Sequence, residues 1–494
     1  MSHPIQLSSD DRAFFDRVLA SAFTNPFGDE RALADRRALG VEQTANFDEV
    51  LSRLLMELGK RLAALSPGGC VNCFRYAGED RARVSTAVLF LVFHAHTVSF
   101  DAIIREQESA GEDACAAPAA AAAFAELLTW GFPRAEAAQN VAIFYQLRRA
   151  FYFIRNGLVG DGPSMKQLRR RLWENIFTHD ARWYVRSLWN RMEDFSTLLL
   201  GATGTGKGAA AWALGRSGFI PYDPVAGRFA ESFTRAFVPI NLSQFPESLI
   251  ESELFGHRKG AFTGAVERHE GVFARCSPHG AIFLDEIGDV SEPVQIKLLQ
   301  VLQQRTFSPV GGHEALRFEG RVIAATNKPL DRLRNAGAFR DDFYYRLCSD
   351  VIEVPPLCRR LQEPPSELEA LVSHILGRMG AAEPGVLLDR VMDAIACGVS
   401  RDYAWPGNVR ELEQAVRRIL LTGAYAGDTA AAAGDAEGLV GAITRGDLSA
   451  RELTAAYCRH LFKQHGRYEE VARRTGLDWR TVKKHLAETA VPRL

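Results

Sequence analysis

Apolar residues recur with helical spacing through the first 160 residues of the chain. In two clear cases they fall mostly three or four positions apart. These are Phe47, Val50, Leu51, Leu54 and Leu55, and then Val141, Phe144, Tyr145, Leu147, Phe151 and Ile154. Such spacing places the apolar side chains on one face of a helix. The pattern predicts a mainly helical N-terminal domain over residues 1–160.

Short apolar runs alternate with helical stretches between residues 161 and 357. The runs are Thr197–Leu200, Phe237–Asn241, Ala281–Leu284 and Arg321–Ala325. This alternation is typical of a parallel β-sheet that is covered by helices on both faces. We therefore expect an α/β domain in the centre of the chain.

Two stretches interrupt these patterns. Ser109–Ala125 is rich in alanine and contains Gly111 and Pro118, so we expect a flexible loop that leads into a helix rather than an element of the core. Alanine, glycine and aspartate dominate from Thr422 to about Gly441, which predicts a linker over residues 422–446. Beyond the linker, the last 44 residues hold ten Lys or Arg against five Asp or Glu.

Length and composition fit a modular intracellular protein. A chain of 494 residues corresponds to about three domains of roughly 150 residues. The eight cysteines show no regular spacing, which indicates reduced thiols in a cytosol. The N-terminus lacks a basic start and an apolar signal core. The longest apolar stretch, Val84–Phe93, is shorter than the roughly 20 residues of a membrane helix. We expect a soluble cytoplasmic protein with no membrane segment.

A glycine-rich loop, GATGTGKG, directly follows the first apolar run. Glycines let backbone N–H groups turn toward phosphate oxygens, the following helix adds its dipole, and a lysine neutralises the β and γ phosphates. The alternative is a purely structural glycine turn. The strand before the loop and the helix after it favour nucleotide binding by Gly201, Ala202, Thr203, Gly204, Thr205, Gly206, Lys207 and Gly208.

Two adjacent carboxylates, Asp285 and Glu286, follow the third apolar run. Asp285 can hold Mg²⁺ through water, while Glu286 can act as the general base that polarises the attacking water. The alternative is a charged strand end that faces solvent. Most phosphate loops have a magnesium-binding Ser or Thr after the lysine, but here this residue is Gly208, which cannot ligate a metal. We expect phosphates, water and Asp285 to hold the Mg²⁺ of the bound ATP.

The sequence ESELFGHRKGAFTGA lies between these two halves of the predicted nucleotide site. This order of motifs resembles the central domain of bacterial enhancer-binding proteins, the AAA+ ATPases that activate sigma-54 RNA polymerase. The resemblance covers roughly residues 160–494. It implies an α/β AAA+ subdomain at 161–357, a helical lid at 358–421 and a hexameric ring. In this family the residue after the phosphate-loop lysine is usually Glu.

The resemblance also implies that the GAFTGA loop contacts sigma-54 and moves as the γ phosphate is lost. Gly260 and Gly264 give the backbone freedom, and Phe262 with its neighbour Thr263 supplies contact. The alternative is that Phe262 packs in its own core, but the small residues around it argue against this. The predicted contact residues are Gly260, Ala261, Phe262, Thr263, Gly264 and Ala265.

Further residues of the ATPase site follow from the resemblance alone. Asn241 matches the residue that couples Glu286 to γ-phosphate sensing, and Thr326 with Asn327 matches the first sensor. Arg410, in WPGNVREL, matches the second sensor of the lid.

Arg340 and Arg346 match arginine fingers, which complete the site of a neighbouring subunit. Their alternative role is that of ordinary surface arginines.

The sequence departs from the family pattern at one place, the hinge before the lid. The motif PPL is followed here by Cys358, Arg359 and Arg360 instead of Arg-Glu-Arg, which puts the hinge contacts in doubt.

The C-terminal sequence RYEEVARRTGLDWRTVKKHLAE predicts a helix-turn-helix DNA-binding domain over residues 447–494 and resembles domains of the Fis type. Ala472 allows the helices to cross closely, Gly476 turns the chain, and Val482 seats the second helix. The alternative is a basic helical hairpin without DNA function. The spacing of the preceding Leu453–Phe462 helix suggests dimerisation. The predicted DNA-contacting residues are Trp479, Arg480, Thr481, Lys483 and Lys484.

The N-terminal region shows no recognisable receiver pocket. Cys70 and Cys73, with His94 and His96 some twenty residues on, could form a zinc or redox site. The favoured interpretation is two thiols in a loop and two unrelated histidines. The two histidines lie in an apolar run and would share one face only if that run were a strand.

The motifs together predict a sigma-54-dependent activator that binds enhancer DNA. It would use ATP hydrolysis in a ring to remodel the closed complex of sigma-54 RNA polymerase holoenzyme. An alternative is an AAA+ remodeller of another protein, with the C-terminal helices as an adaptor. The ATPase motifs fit both, whereas the GAFTGA loop and the helix-turn-helix favour the activator. A repressor that binds DNA without hydrolysis is disfavoured by the complete catalytic set.

Overall fold

The structure is a computed structural model that describes residues 5–40, 47–65, 72–380, 384–400, 402–427, 443 and 449–487. The chain separates into two compact units. The first comprises Met1–Ala381 with Gly407–Arg410, and the second Ala382–Pro406 with Glu411–Leu494. Cys70 and most of the predicted linker lie outside the described residues.

Helices form the first 160 residues, as the apolar spacing predicts. They are α1 Ser9–Ala22, α2 Asp29–Leu39, α3 Phe47–Ala64, α4 Gly78–Ala110, α5 Pro118–Thr129 and α6 Arg134–Gly157. The 33-residue α4 packs against α1, α5 and α6. Its inner face buries Val84, Ala87 and Val88 completely. The helices of the first 160 residues thus share a continuous apolar core. Burial of its large side chains stabilises the folded state.

A helix follows the start of Ser109–Ala125, as expected, but the expectation that the segment is a flexible loop outside the core is wrong for Pro118–Ala125. Helix α5 begins at Pro118, and Ala120 and Ala123 are fully buried against its neighbours. The short connection before it is held by Gln107, whose amide donates to the carbonyls of Gly111 and Asp113 at 3.1 and 2.7 Å. Alanine lacks bulk, so an alanine-rich face lets helices approach closely and can belong to a core.

Among the described residues, one helix is long and apolar enough to cross a membrane by length and composition. This is α4, in which an 18-residue window has a mean hydropathy of 1.8. Helix α4 is longer than the apolar stretch Val84–Phe93, because polar positions between apolar ones do not end a helix. The core helix of a soluble protein can be equally long and apolar, and α4 packs on four other helices, α1, α3, α5 and α6.

The central sheet has five parallel strands in the order β4-β5-β8-β1-β9. Four of them confirm the predicted runs: β1 Thr197–Leu200, β4 Phe237–Asn241, β5 Ala281–Asp285 and β8 Arg321–Thr326. The fifth strand, β9 Asp350–Glu353, was not predicted, because only two apolar residues lie there between carboxylates. The carboxyl ends of parallel strands meet at one edge of a sheet. This edge therefore collects Gly201, Asn241, Asp285 and Thr326.

Helices and two small hairpins complete the first unit. The hairpins pair β2 Tyr222–Asp223 with β3 Arg228–Phe229, and β6 Thr306–Phe307 with β7 Leu316–Arg317. The helices are α7 Pro163–Phe177, α8 Ala181–Trp183, α9 Lys207–Gly215, α10 Glu247–Phe255, α11 Val272–Arg275, α12 Glu292–Gln304, α13 Leu330–Asn335, α14 Asp341–Leu347, α15 Leu357–Leu361 and α16 Glu367–Arg378.

The hinge sequence that departs from the family pattern has its own contacts. Arg360 is buried, and its guanidinium donates to Glu367 Oε1 at 2.6 Å and to the carbonyl of Val159 at 2.7 Å. Glu367 also accepts a hydrogen bond from the backbone N–H of Asp161. Arg360 and Glu367 therefore tie α15 and α16 to the segment before α7.

The second unit is helical. Its elements are α17 Pro384–Gly398, most of α18 Asn408–Thr422, α19 Ala450–His465, α20 Tyr468–Thr475 and α21 Trp479–Ala487. Helix α19 begins with a capping box in which Ser449 and Glu452 bond each other's backbone N–H groups. Cys458, Leu461, Val471 and Val482 form a small core among the last three helices.

Candidate nucleotide site and its associated loops

The phosphate loop lies between β1 and α9, as predicted. Gly206 adopts a left-handed conformation with φ 106°, which favours glycine. At Gly204, a Cβ atom would lie 2.2 Å from the carbonyl oxygen of Gly407, so only glycine allows this close approach. Helix α9 begins at Lys207 and directs its free N–H groups toward the loop. The loop therefore has the shape that a phosphate requires.

Lys207 is buried, and its ammonium folds back over the loop. Nζ donates to the carbonyls of Gly201 and Ala202 at 2.8 and 3.2 Å. Burial lowers the pKa of Lys207, and the charges of Glu286 and Asp285 oppose this effect. The ammonium and the two carboxylates thus face one another across the site.

Asp285 ends β5 and is partly buried, which raises the pKa of its carboxyl group. Oδ1 accepts a hydrogen bond from the backbone N–H of Glu286 at 3.0 Å, and Oδ2 accepts one from Asn241 Nδ2 at 3.3 Å. The amide of Asn241 therefore contacts Asp285 in this structure, whereas the resemblance links Asn241 to Glu286.

Glu286 has φ 57° and ψ 46°, a left-handed conformation that is rare for a residue with a side chain. Such strain is retained where the surrounding structure enforces it, often at functional sites. Its carboxylate accepts a hydrogen bond from the backbone N–H of Asn327 at 3.4 Å. The next strand of the sheet thereby orients the predicted general base.

The predicted first sensor contacts the phosphate loop directly. Asn327 Nδ2 donates to Thr203 Oγ1 at 2.7 Å. Thr326, at the end of β8, is fully buried, and its hydroxyl accepts a hydrogen bond from the backbone N–H of Lys328. Asn327 thus joins the loop to the carboxylate of Glu286.

The start of α18 also lies on the phosphate loop. The backbone N–H of Val409 donates to Gly204 O at 3.0 Å, and Asn408 Nδ2 donates to Thr203 O at 3.0 Å. Arg410 is close enough for its charge to lower the pKa of both Lys207 and Asp285. Arg410 is a predicted site residue, whereas Asn408 is not, although both lie in the motif WPGNVREL.

The two predicted arginine fingers lie on and beside α14, and their contacts are with α12 and α14. Arg340 donates to Asp342 and to Glu292 Oε1 at 2.8 Å, which raises the pKa of its guanidinium. Arg346 Nε donates to the carbonyl of Leu302 at 2.9 Å. Neither arginine is brought to the phosphate loop of its own chain by these contacts. A role toward a neighbouring subunit stays a prediction.

The GAFTGA segment forms a tight, exposed tip between α10 and α11. Gly260 and Gly264 have φ values of 78° and 102°, and the N–H of Gly260 donates to Ala265 O at 2.8 Å. The base of the loop is fixed by paired backbone bonds between His257 and His269 at 3.0 Å.

At the tip, Phe262 is 37% exposed and rests edge-on against the ring of His257. Thr263 is exposed. The alternative that Phe262 packs in the core does not fit this position.

The C-terminal segment folds as helix, turn and helix. Gly476 ends α20 with φ 70°, and its N–H donates to Ala472 O at 2.9 Å. Val482 is fully buried. On α21, Trp479, Arg480, Lys483 and Lys484 are exposed and Thr481 is half-buried. The geometry is that of a helix-turn-helix, with the basic side chains on its surface.

The possible zinc site of the N-terminal region does not assemble among the described residues. His94 and His96 lie two positions apart on helix α4, so they point in different directions. Burial between Phe90 and Phe93 lowers the pKa of His94 to about 3. His96 bonds Glu126 at 2.9 Å. No cluster of three or more His, Cys, Asp or Glu occurs in the described part of the chain.

Residues 184–353 match the family described as the Sigma-54 interaction domain. The chain is 36% identical over 332 residues to the transcriptional regulatory protein ZraR of Klebsiella oxytoca, covering 66% of this chain and 67% of that protein. It is 39% identical to the Nif-specific regulatory protein of Azotobacter vinelandii, covering 55% of this chain and 45% of that protein. It is 38% identical to the DNA-binding transcriptional regulator NtrC of Azospirillum brasilense, covering 53% and 47%.

The chain therefore belongs to the family of sigma-54-dependent transcriptional regulators with an AAA+ domain. The matched segment contains the phosphate loop, the GAFTGA tip, the carboxylate pair and both predicted arginine fingers. The chain spans about half the length of the Azotobacter and Azospirillum relatives.

Proposed function

We propose that this protein activates transcription by coupling ATP hydrolysis to the remodelling of the closed complex of sigma-54 RNA polymerase holoenzyme. The observation that carries the proposal is that one chain contains both a complete set of phosphate-handling residues and an exposed, glycine-hinged GAFTGA tip. The protein would act in the cytoplasm, as a hexameric ring, while bound to enhancer DNA.

ATP is the proposed substrate. Lys207 and the backbone N–H groups of α9 bind its β and γ phosphates. Glu286 accepts a proton from the attacking water, and Asn327 keeps that carboxylate near the phosphate loop. The position of Arg410 beside Lys207 and Asp285 suits an electrostatic contact with the nucleotide. Asn241 donates a hydrogen bond to Asp285 and would take part in sensing the γ phosphate at this site.

The residues present fit a bound Mg²⁺. Asp285 supplies a partly buried carboxylate at the end of β5, near enough to Lys207 of the phosphate loop for the two charges to interact. When bound, Mg²⁺ offsets the negative charge of the phosphates. Hard oxygen ligands of this kind suit magnesium, which usually keeps several waters. In this chain, water and phosphate would supply the remaining ligands, since Gly208 has no side chain.

Introducing a hydroxyl at Gly208 is expected to lower the Mg²⁺ concentration required for half-maximal ATPase activity several-fold. A Cβ atom at Gly208 would meet no heavy atom of another segment within 4 Å, so the position has room for a side chain to begin there. The threonine would supply the ligand that most phosphate loops have at this position. The measurement is ATP turnover against Mg²⁺ concentration.

Ala209→Thr is the matched control, because it adds the same side chain one position further along α9, on a different face. Equal magnesium dependence of the two variants would contradict the proposed ligand arrangement.

Arg340 and Arg346 would act on the ATP of the neighbouring subunit. In the single chain, Glu292 and Asp342 neutralise the guanidinium of Arg340. A γ phosphate from the next subunit would replace one of these exposed carboxylate contacts. Ring assembly would thereby complete the site, since a guanidinium stabilises the charge that develops on the transferred phosphoryl group.

The helix-turn-helix is the proposed DNA reader. Arg480→Ala is expected to weaken enhancer binding by about 1–3 kcal/mol, or to reduce the salt dependence of binding if Arg480 contacts a phosphate. ATPase activity should be unchanged, because the exposed side chain lies on α21. The measurement is a DNA titration at several salt concentrations.

Arg473→Ala provides the control. Arg473 is also exposed, but it lies on α20 and pairs with Glu470 at 2.6 Å. If both variants bind DNA as the unmodified protein does, α21 is not the reader, and the C-terminal helices then fit an adaptor role.

A further inference from the structure

Helix α6 of the N-terminal region lies against the carbonyl end of α9, the helix that begins in the phosphate loop. Gln146 and Arg149 are three positions apart on α6 and therefore share a face. Gln146 is 1% exposed and Arg149 is fully buried. Neither belongs to the nucleotide site described above.

Together these two side chains bond three consecutive carbonyl groups that follow α9. Arg149 Nη1 donates to Arg216 O and Nη2 to Gly218 O, both at 2.7 Å. Gln146 Nε2 donates to Ser217 O at 2.9 Å. Carbonyls at a helix C-terminus lack partners within the helix, and a positive charge there is favoured by the helix dipole.

The surroundings hold both side chains in place. The hydroxyl of Tyr184 donates to Gln146 Oε1 at 2.7 Å, which fixes the orientation of the amide. The guanidinium of Arg149 lies 4.5 Å from the ring centre of Tyr145. One turn further along α6, Phe153 packs edge-on against Trp212 of α9 at 4.7 Å. The contact between the two helices is therefore both polar and apolar.

Arg149 is charged in this position. Burial lowers the pKa of its guanidinium to about 10, which is still above neutral pH. Within the described residues the guanidinium bonds carbonyl oxygens rather than a carboxylate. A buried cation without an ionised partner is costly unless its hydrogen bonds are fixed. The position of the α9 carbonyl end is consequently tightly specified by α6.

We propose that Gln146 and Arg149 are positioning residues for nucleotide binding, through which the N-terminal helices set the position of α9 and its phosphate loop. Helix α9 has nine residues, so its two ends are only about 13 Å apart. A shift at the carbonyl end moves Lys207 and the phosphate-binding N–H groups. The inference rests on the proposed ATPase function and assigns the N-terminal region a direct route to that site.

The test compares full-length variants for nucleotide affinity, for KM and kcat with ATP, and for thermal unfolding. Gln146→Met and Arg149→Met remove the bonds to the carbonyls but keep most of the side-chain bulk. Arg149→Lys retains the charge. Arg148→Met is the matched control. Arg148 directly precedes Arg149 on α6, but it pairs with Asp101 of α4 at 2.5 Å. The probe is fluorescently labelled ADP.

We expect Gln146→Met and Arg149→Met to raise the Kd for the probe and the KM for ATP about tenfold, a size typical of coupling between sites. Arg149→Lys should recover part of the affinity. Arg148→Met should unfold at a lower temperature with an unchanged Kd. A loss of stability alone would not produce this separation.

Unchanged Kd values in folded Gln146→Met and Arg149→Met protein would overturn the inference. If Arg149→Met does not fold, Gln146→Met and Tyr184→Phe decide the question. Gln146→Met removes the bond to Ser217 O and the bond from Tyr184, whereas Tyr184→Phe removes only the bond that orients the Gln146 amide. Failure of the unmodified protein to bind the probe is a different outcome, which would refute the proposed ATPase function itself.

Discussion

Replacement of Glu286 by glutamine is expected to lower the kcat for ATP hydrolysis by about 10²- to 10⁴-fold while nucleotide binding persists, the range that general-base catalysis contributes. Glutamine has nearly the same shape but cannot accept a proton from water at neutral pH. Lys207, the phosphate loop and Asn327 are untouched by this change. The measurements are steady-state ATP turnover and the Kd for labelled ADP.

The structure gives this prediction its physical basis. Glu286 is held in a left-handed conformation at the end of β5, with its carboxylate bonded to the backbone of Asn327. Glu247→Gln is a suitable control, because Glu247 is an exposed carboxylate in the first turn of α10. Turnover by Glu286→Gln within a few-fold of the control would assign the general base to another residue.

Thr263→Ala is expected to abolish open-complex formation with sigma-54 RNA polymerase while ATP hydrolysis stays close to normal. The two activities should separate because Thr263 is exposed at the loop tip, whereas the base of that loop is fixed by His257 and His269. Removing one hydroxyl and one methyl group from the tip leaves the nucleotide site unchanged. The measurements are ATP turnover and promoter opening on a sigma-54-dependent template.

Val266→Ala is the matched control for the loop. Val266 is 73% exposed and lies just outside the hexapeptide. It should activate transcription normally. If Thr263→Ala also opens promoters normally, the GAFTGA tip does not transmit force to sigma-54. A protein that hydrolyses ATP but never opens a promoter would instead fit an AAA+ remodeller with another protein target.

The contact of α6 with α9 also bears on how the N-terminal region should be studied. A truncation that removes residues 1–160 would take away both Gln146 and Arg149 and uncap three carbonyl groups. It would also expose the face of α9 around Trp212. Loss of ATPase activity in such a protein would therefore report damage to α9. Single substitutions separate that damage from regulation.

Local signals made much of the fold predictable. Four strands of the sheet were identified because each is a short, continuous apolar run, as expected for a strand buried on both faces. The edge strand β9 was missed, since its ends are Asp350 and Glu353. The alanines between Pro118 and Ala125 favour a loop in the sequence pattern, because their small side chains contribute little hydrophobicity. Only the packing of α5 against α4 shows that they are buried.

In the candidate site, too, some residues could be predicted from local motifs and others only from the tertiary structure. Lys207, Asp285 and Glu286 could be found because each lies in a short motif with a defined spacing. Asn408 and the bond from Asn241 to Asp285 could not be found from spacing, since each joins segments far apart in the chain. The relation of His94 to His96 also depended on a structural fact, namely that their segment is a helix rather than a strand.

The sequence by itself determined the motifs of this protein: a phosphate loop, a carboxylate pair, a glycine-hinged tip and a basic helix-turn-helix. Each is specified by residue type and spacing over a few positions, so it can be read without knowing the fold. Only the tertiary structure decided that α6 and α9 are joined. That contact brings Arg149 to Arg216 and Gly218, nearly 70 residues along the chain. Burial and hydrogen bonding between distant segments leave no local pattern to read.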